Sequence, residues 1–426
     1  MHAGEVYQFH VTEDGVYRID YELLKEAGVA VNQLDPNQIH VYSQRGGAVP
    51  QSNLMEVPQL TELAIYPLGF TDSTFDQEDY FLVYAEGPDQ MVYDPLNNFY
   101  EIQQNPYARE NFLFLVIEDK PLNIIPKKPS LAFGWGSPVE TYVGVYHHER
   151  QETNIVSSGR EWFGEAFEEE NPTLIIPFQT AAVVAGSEAK LKTSIVSIAS
   201  TKSSYEVSLN QQAVGTVEPN AAQQTLYGYR GRSASVQYNA RLESEELGAP
   251  TVQINSIDDG GVGYLDYVTL NLEHPLRYAG QPALFRNPMM SVQSISQFRI
   301  QQPNDNMLVW DITDPLQVEQ QRWNLVNERA TFQVFADTLR QYIMFMPDDV
   351  TLRPTFTGKV THRDILNADA PELLIITTEA LQSEAERLAQ FRRDHDQLSV
   401  QVSLLSDVYR TFSAGRQDVT AIRNYI

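Results

Sequence analysis

Short apolar runs, broken every few residues by Gly, Pro, Asn or Asp, fill this chain up to about residue 360. Val6 to Val11 alternates apolar with polar positions, Asp14-Gly15 is a tight-turn pair, and Val16 to Ile19 resumes the alternation. That pattern predicts a hairpin. Tyr21 to Ala27 predicts a short helix closed by Gly28, and Gln38 to Tyr42 another strand ending at Gly46-Gly47. Asp79 to Tyr84 and Asn111 to Ile117 carry the densest aromatic and β-branched runs and are the strongest predicted strands. Pro121, Pro126 and Pro129, with Lys127 and Lys128 between them, read as a linker. Residues 1–128 are therefore expected to form an N-terminal mixed domain rich in β-strands.

From Tyr142 to Leu272 the texture is all-β, with runs such as Leu174 to Phe178, Leu191 to Ile198, Tyr205 to Leu209 and Tyr264 to Leu272. Strands of this length, separated by Ser, Asn, Gly and Pro clusters, predict a β-sandwich or jelly roll. Asn210-Gln211-Gln212 reads as a hairpin loop. Phe298 to Met346 alternates as well and is expected to complete this sheet or to bridge onward. The second domain is thus drawn at 140–350.

After residue 371 the period changes. Leu373 to Thr377 is a continuous apolar run, then Leu381, Ala385, Leu388, Ala389 and Phe391 recur at helical spacing. Leu398, Val400, Val402 and Leu404 alternate, and Ser413 is read as opening a second helix with Val419, Ile422 and Ile426 on one face. Strand, helix, strand, helix predicts the opening of a parallel α/β sheet over 371–426. Such sheets bind ligands at the carboxyl ends of their strands. Two strands are too few for that site, so the chemistry is expected in chain that follows Ile426.

Composition narrows the chemistry. None of the 426 residues is a cysteine, which excludes a disulfide framework, a thiolate metal site and a cysteine nucleophile within this chain. A net charge of −26 argues against nonspecific binding to nucleic acid or anionic membranes, which needs clustered Lys and Arg. No run approaches the ~20 apolar residues of a membrane-spanning helix, and MHAGEVYQFHV is not an export signal.

Each chemically dense motif also has a plain structural reading. Asp72, Asp76, Glu78 and Asp79 gather the oxygen ligands that calcium prefers, but without EF-hand spacing, and a solvated turn before a strand is the favoured reading. His147 and His148 are adjacent in a predicted strand and point to opposite faces, so they are poor partners for one metal ion. In Ser158 to Phe167 (SGREWFGEAF), Arg160, Glu161, Trp162, Phe163 and Glu165 make either a recognition surface or an aromatic anchor fixing a loop. Tyr264-Leu265-Asp266-Tyr267 and Trp310 to Pro315 read as structural strand ends. No nucleophile elbow, Walker loop or dinucleotide fingerprint occurs. No catalytic, cofactor-binding or metal-ligating residue is assigned, and no cofactor is expected.

Taken in order, several phrases resemble the N-terminal half of the type IX secretion surface sortases of Bacteroidota, relatives of the gingipain cysteine peptidases. They are EDGVYRIDYELLKEAGV (Glu13 to Val29), FDQEDYFLVYAEGP (Phe75 to Pro88), NPYARENFLFL (Asn105 to Leu115), HERQETNIVSSGREWFGEAF (His148 to Phe167), GYLDYVTLNLEHPL (Gly263 to Leu276), VWDITDP (Val309 to Pro315) and GRQDVTAIRNYI (Gly415 to Ile426). SGREWFGE and the closing Gly-Arg-Gln-Asp-x-x-x-Ile-Arg are the most specific. The resemblance implies that 371–426 begins a caspase-like α/β peptidase domain whose catalytic His and Cys come later. It also implies cleavage of C-terminal signal domains from exported cargo and attachment of that cargo to surface lipopolysaccharide. The implied location is the cell surface, on the extracellular side of the outer membrane. Secretion-system proteins and cargo C-terminal domains are the implied partners, with no nucleic acid and no direct membrane span. This chain would then be the non-catalytic portion, with His395 too early to be the dyad histidine. The alternative is a structural or carbohydrate-binding β-sandwich module, with Trp162, Tyr227 and Tyr229 as stacking platforms.

Overall fold

The computed structural model describes residues 5–52, 59–132, 136–155, 157, 159–223, 225, 230–242, 249–257, 262–286, 295–360, 363, 365 and 369–426. The chain is mostly β. Its first sheet is antiparallel, in the order Thr355–Val360, Val6–Val11, Asn111–Ile117, Ile39–Ser43, Thr61–Leu63. Facing it is a three-stranded sheet of Gly15–Asp20, Tyr80–Ala85 and Tyr66–Leu68. Tyr7, Phe9, Leu113 and Leu115 of one sheet meet Tyr17, Ile19, Phe81 and Val83 of the other in a shared core. The helix Tyr21–Glu26 closes its edge, capped by Asp20, whose carboxylate accepts from the Leu23 amide at 3.2 Å.

The two richest apolar runs owe their composition to burial on both faces. In Asn111–Ile117, Leu113 and Leu115 point into the first core, while Phe112, Phe114 and Val116 pack outward with Ala414 from the end of the chain. In Tyr80–Ala85, Phe81 and Val83 point into that core, while Leu82 and Tyr84 meet Trp310, Ile343 and Phe345 on the far side.

Residues 141–275 build a sandwich of their own. One sheet runs Thr141–His148, Gly263–Pro275, Glu188–Ser197, Arg232–Arg241, and the other Thr173–Pro177, Thr251–Ser256, Tyr205–Leu209, Gln212–Val217. Leu191, Ile195, Leu265, Val268 and Leu270 face Tyr205, Val207, Val252 and Ile254 across its core. Asn210 and Gln211, with φ of 49° and 68°, turn the hairpin between the last two strands. Left-handed backbone at both central residues matches the twist of the flanking strands.

A further sandwich lies beyond it, which differs from the single sandwich expected over 140–350. Lys127–Lys128, Glu319–Gln321, Leu308–Asp311, Gln341–Phe345 and Ala283–Arg286 form one sheet; Ser137–Val139, Ile295–Gln301, Arg329–Phe335 and Asn324–Val326 form the other. Phe285, Phe298, Phe332 and Tyr342 fill its centre, with Phe298 stacked on Phe332 at 5.0 Å. Phe298 to Met346 therefore neither completes the preceding sheet nor bridges to the α/β unit. The expected linker likewise contributes a strand, since Lys127 and Lys128 pair in parallel with Gln320 and Gln321. The strand Thr355–Val360 returns to Val6–Val11, so chain after 350 completes the first sheet. Strand periodicity reports which side chains point inward, and says nothing about which sheet a strand joins.

The α/β unit comprises parallel strands Leu373–Thr377 and Val400–Leu404 and helices Gln382–Asp396, Leu405–Ser413 and Val419–Tyr425. Ser413 ends a helix instead of opening one. Its hydroxyl donates to the Tyr409 carbonyl at 2.9 Å and to the Arg416 carbonyl at 2.6 Å. Ala414 and Gly415 then turn left-handed, with φ of 51° and 90°, and Asp418 caps the last helix through the Thr420 amide. On Gln382–Asp396 only Ala385 and Ala389 are buried, while Leu388 and Phe391 of the expected stripe are exposed, as is Leu381 just before it.

Candidate functional site

The most specific phrase of the sequence, Gly415 to Arg423, is the seam between the α/β unit and the first sheet. Arg416 is 2% exposed, and its guanidinium donates to the carbonyl of Arg45 at 2.5 Å, Asn111 Oδ1 at 2.8 Å and Gln44 Oε1 at 2.5 Å. Asn111 is held for this by its own amide, which donates to the carbonyls of Gln44 and Glu86, each at 3.0 Å. Burial pushes the Arg416 guanidinium down to about 10, with the Asp418 carboxylate opposing that shift. Asp418 is also buried and accepts from the amides of Val49 and Thr420, each at 2.8 Å. Arg423 completes the seam by donating to the carbonyls of Gln51 and Pro50. Gly415 is required here: its φ is 90° and an added Cβ would lie 3.0 Å from the Phe112 ring. The loop after Ile39–Ser43 thus offers carbonyls and an amide to three charged side chains of the peptide that follows Ser413.

The other specific phrase, Gly159 to Phe167, lies against the inner edge of the middle sandwich. Thr153 and Phe163 exchange backbone hydrogen bonds at 2.8 Å, and the Gly164 amide donates to the Leu265 carbonyl at 2.7 Å. Glu165 anchors the segment, taking His148 Nε2 at 2.8 Å and Arg150 Nε at 3.2 Å. The result is a cleft of about 420 Å³ whose lining includes Glu149, Glu161, Trp162, Phe163, Asp266 and Tyr267. Glu101 closes one wall, already paired with Lys192. Asp266 accepts from Ser194 Oγ at 2.8 Å, and burial lifts its carboxyl above the ordinary value, with Glu149 and Glu161 adding to the lift. Trp162 is 40% exposed at the rim. Across the rim, Arg160 reaches Gln51 Oε1 at 3.3 Å, which places the cleft next to the seam.

The remaining candidates are not brought to either place. His147 and His148 leave opposite faces of Thr141–His148: His147 bonds Thr269 at 2.8 Å and Glu149 at 3.1 Å, whereas His148 bonds Glu165. In the acidic loop the carboxylates serve the backbone. Asp72 accepts from the Thr74 amide at 2.8 Å, Asp76 from Glu78 at 3.1 Å and Asp79 from Asp76 at 3.0 Å. Phe75 is fully buried, whereas Tyr80 is half-buried beneath the Arg18 guanidinium, 3.7 Å from its ring centre. Trp310 is buried edge-on to Phe345 at 4.7 Å, and Asp311 ties Lys128 at 3.2 Å to Arg340 at 3.4 Å. Tyr227, Tyr229, Ser158 and His362 lie outside the described residues. Among the described residues no helix is long and apolar enough to cross a membrane. The sequence reading missed Asp266 as a cleft residue and Asn111 as a seam residue. Only their polarity inside apolar strands marked them.

Against known proteins, residues 367–426 match the family described as Peptidase family C25. No curated protein matches the chain. Among solved structures, dimeric latent PorU from Porphyromonas gingivalis superposes with a TM-score of 0.84 at 21% identity, over 99% of this chain and 39% of that one. The insecticidal delta-endotoxin Cry8Ea1 from Bacillus thuringiensis reaches a TM-score of only 0.21 at 11% identity, over 57% of this chain and 43% of that one, and carries no argument. The chain therefore spans well under half the length of PorU. Across nearly all of that span it has the PorU fold, and its last helices and strands carry the Peptidase family C25 signature.

Proposed function

We propose that this chain is the non-catalytic N-terminal portion of a PorU-like type IX secretion sortase at the cell surface, on the extracellular side of the outer membrane. In this reading the β-sheets are the scaffold on which the first strands and helices of the peptidase unit are seated. The complete protein removes the C-terminal signal domains of exported cargo and joins the cargo to surface lipopolysaccharide, working beside secretion-system proteins. The observation that supports it most is the seam: the segment matching the peptidase family is bound to the first sheet through buried Arg416 and Asp418. In a cysteine-peptidase mechanism a thiolate attacks the backbone carbonyl and a histidine moves the protons. With no cysteine in its sequence, this chain contributes position to that chemistry and no reacting group.

The test is genetic. Deleting the gene that encodes this chain should leave exported proteins carrying their C-terminal signal domains, read by mass spectrometry of surface and medium fractions. Normal removal of those domains in the deletion strain would refute the proposal and leave the chain as a structural surface module.

A further inference from the structure

We propose that Arg286, with the hydroxyls of Tyr84, Tyr100 and Tyr142, binds a small anion of single charge, chloride or a short carboxylate. The inference goes beyond the sortase reading and does not depend on it. Each of the four side chains comes from a different unit. Tyr84 belongs to the three-stranded sheet, and Tyr100 to the hairpin of Gln90–Asp94 and Phe99–Gln103. Tyr142 lies on the edge strand of the middle sandwich, and Arg286 ends the strand Ala283–Arg286 of the last one. Arg286 is 5% exposed, yet its guanidinium makes no hydrogen bond or ion pair among the described residues. Its Nε is buried without a partner, and the nearest group to offset the charge is the Tyr100 ring, 5.4 Å from the guanidinium carbon. The Tyr100 hydroxyl is likewise buried without a partner. Those of Tyr84 and Tyr142 make no hydrogen bond among the described residues either.

The junction is therefore rich in donors and short of acceptors. A guanidinium can only donate, a phenol can turn its O–H toward an anion, and buried polar groups find partners. Burial pulls the Arg286 guanidinium below its ordinary value, opposed by Tyr100, Tyr84, Asp14 and Tyr142, so all three phenols act on its charge. Asp14 is the carboxyl in that set, but it forms no ion pair with Arg286 and turns Oδ1 to the Gly87 amide at 2.8 Å. Burial also lifts the Asp14 carboxyl above its ordinary value, which makes it a poor counter-charge. Glu86, near Tyr84, is likewise turned away and accepts from the Gly46 amide at 3.1 Å. One guanidinium beside a carboxyl leaves place for one negative charge; phosphate or sulfate would set a second charge against Asp14. The planar fork of the guanidinium suits a carboxylate or a halide. Tyr100 and Tyr142 also line a cleft of about 250 Å³, so a space that a small anion can enter reaches two of the rings beside Arg286.

The probes are sodium chloride and, in a second arm, sodium formate, each exchanged for sodium gluconate at constant ionic strength. The full chain is followed by thermal unfolding, since an anion that binds only the folded state raises the melting temperature with its concentration. A saturable rise of several degrees is expected in at least one arm, and the arm with the lower midpoint names the preferred anion. Arg286→Met, which keeps an apolar stem and removes the charge, should abolish the rise. Tyr100→Phe removes one hydroxyl and should raise the midpoint concentration at least about fivefold. The Tyr100 amide and carbonyl stay bonded to Asn271, so this variant keeps its ring in place and decides the matter should Arg286→Met fail to fold. Lys202→Gln, at the surface, should respond as the wild type does. No rise with either anion, a rise that never saturates, an equal rise in Arg286→Met, or an unchanged midpoint in Tyr100→Phe would each overturn the proposal and leave Arg286 to water alone.

Discussion

Arg416 shows what a buried charge needs. Its two terminal guanidinium nitrogens donate to three acceptors, one of which, Asn111, is itself fixed by two carbonyls of neighbouring loops. Removing one side of such an arrangement leaves the other buried and unpaired, so Arg416→Ala should cost about 3–5 kcal/mol. Arg416→Lys should rescue little of this, because an ammonium cannot reach acceptors spread in a plane. Urea unfolding followed by circular dichroism would measure both, and a loss near zero would contradict the assigned role. Glu86 sits in the adjoining loop, accepting from the Gly46 amide at 3.1 Å, and burial pushes its carboxyl up to about 6, helped by the charge of Asp14. Its folded value lies above the ordinary 4.5, so the folded state holds the proton more tightly than the unfolded one. Its contribution is therefore fullest below the unfolded value and is lost as pH rises through about 6, by roughly 2 kcal/mol in all. Glu86→Gln keeps the acceptor and removes the titration. It should raise stability at pH 7.5 by up to about that amount and leave it unchanged near pH 4. A pH-independent difference would contradict this account.

At the scale of elements, the α/β unit is held to the first sheet, among the described residues, chiefly at the end that carries the seam. The strand Leu373–Thr377 is half-buried along its whole length, and Leu381, Leu388 and Phe391 face outward. Val408, Ala414 and Ala421 are buried near the seam instead. Two paired strands bury too little apolar surface to be stable alone, so the unit depends on the first sheet for its order. Hydrogen exchange should then be faster in Leu373–Thr377 than in Asn111–Ile117, and Arg416→Ala should accelerate the former far more than the latter. Equal protection in both strands of the wild-type chain would show that the unit is stable without the seam. The same reasoning makes Leu388→Glu close to neutral in this chain, within about 0.5 kcal/mol, since that side chain stays exposed on the outer face of its helix.

For the molecule as a whole, the layers run from the α/β unit through the first sheet, the three-stranded sheet and the sandwich of Trp310 and Tyr342, each joined to the next by a shared apolar core. The middle sandwich attaches at the side through Tyr100 and Asn271, which exchange hydrogen bonds at 2.7 and 2.9 Å. Peptidase activity should stay at background with unfolded protein or peptide esters and be insensitive to iodoacetamide, because no thiol is available. Calcium at several times the roughly millimolar affinity of extracellular sites should leave the melting temperature unchanged. The acidic-loop carboxylates are already committed to the amides of Thr74, Asp76 and Glu78. A rise of several degrees that vanished in Asp76→Asn would make the loop a metal site after all.

Local periodicity determined much of this. The hairpin turned at Asn210-Gln211, the strong strands at Tyr80 and Asn111 and the parallel unit after residue 371 were all legible, because alternation and helical spacing record which side chains avoid water. The resemblance in Gly415 to Arg423 was legible too, as was the chemical density around Trp162. Periodicity does not record partners. That Lys127–Lys128 would enter a sheet, that Thr355–Val360 would return to Val6–Val11, and that Ser413 would end a helix were all decided by contacts between residues far apart in sequence. Arg416 and Asn111 stand 305 residues apart, and no local pattern could announce that one would satisfy the other. The closeness of Asp266 to Trp162 is of the same kind: Asp266 is unremarkable in its own segment, and only the packing of the Trp162 loop on the sheet makes a cleft of the two.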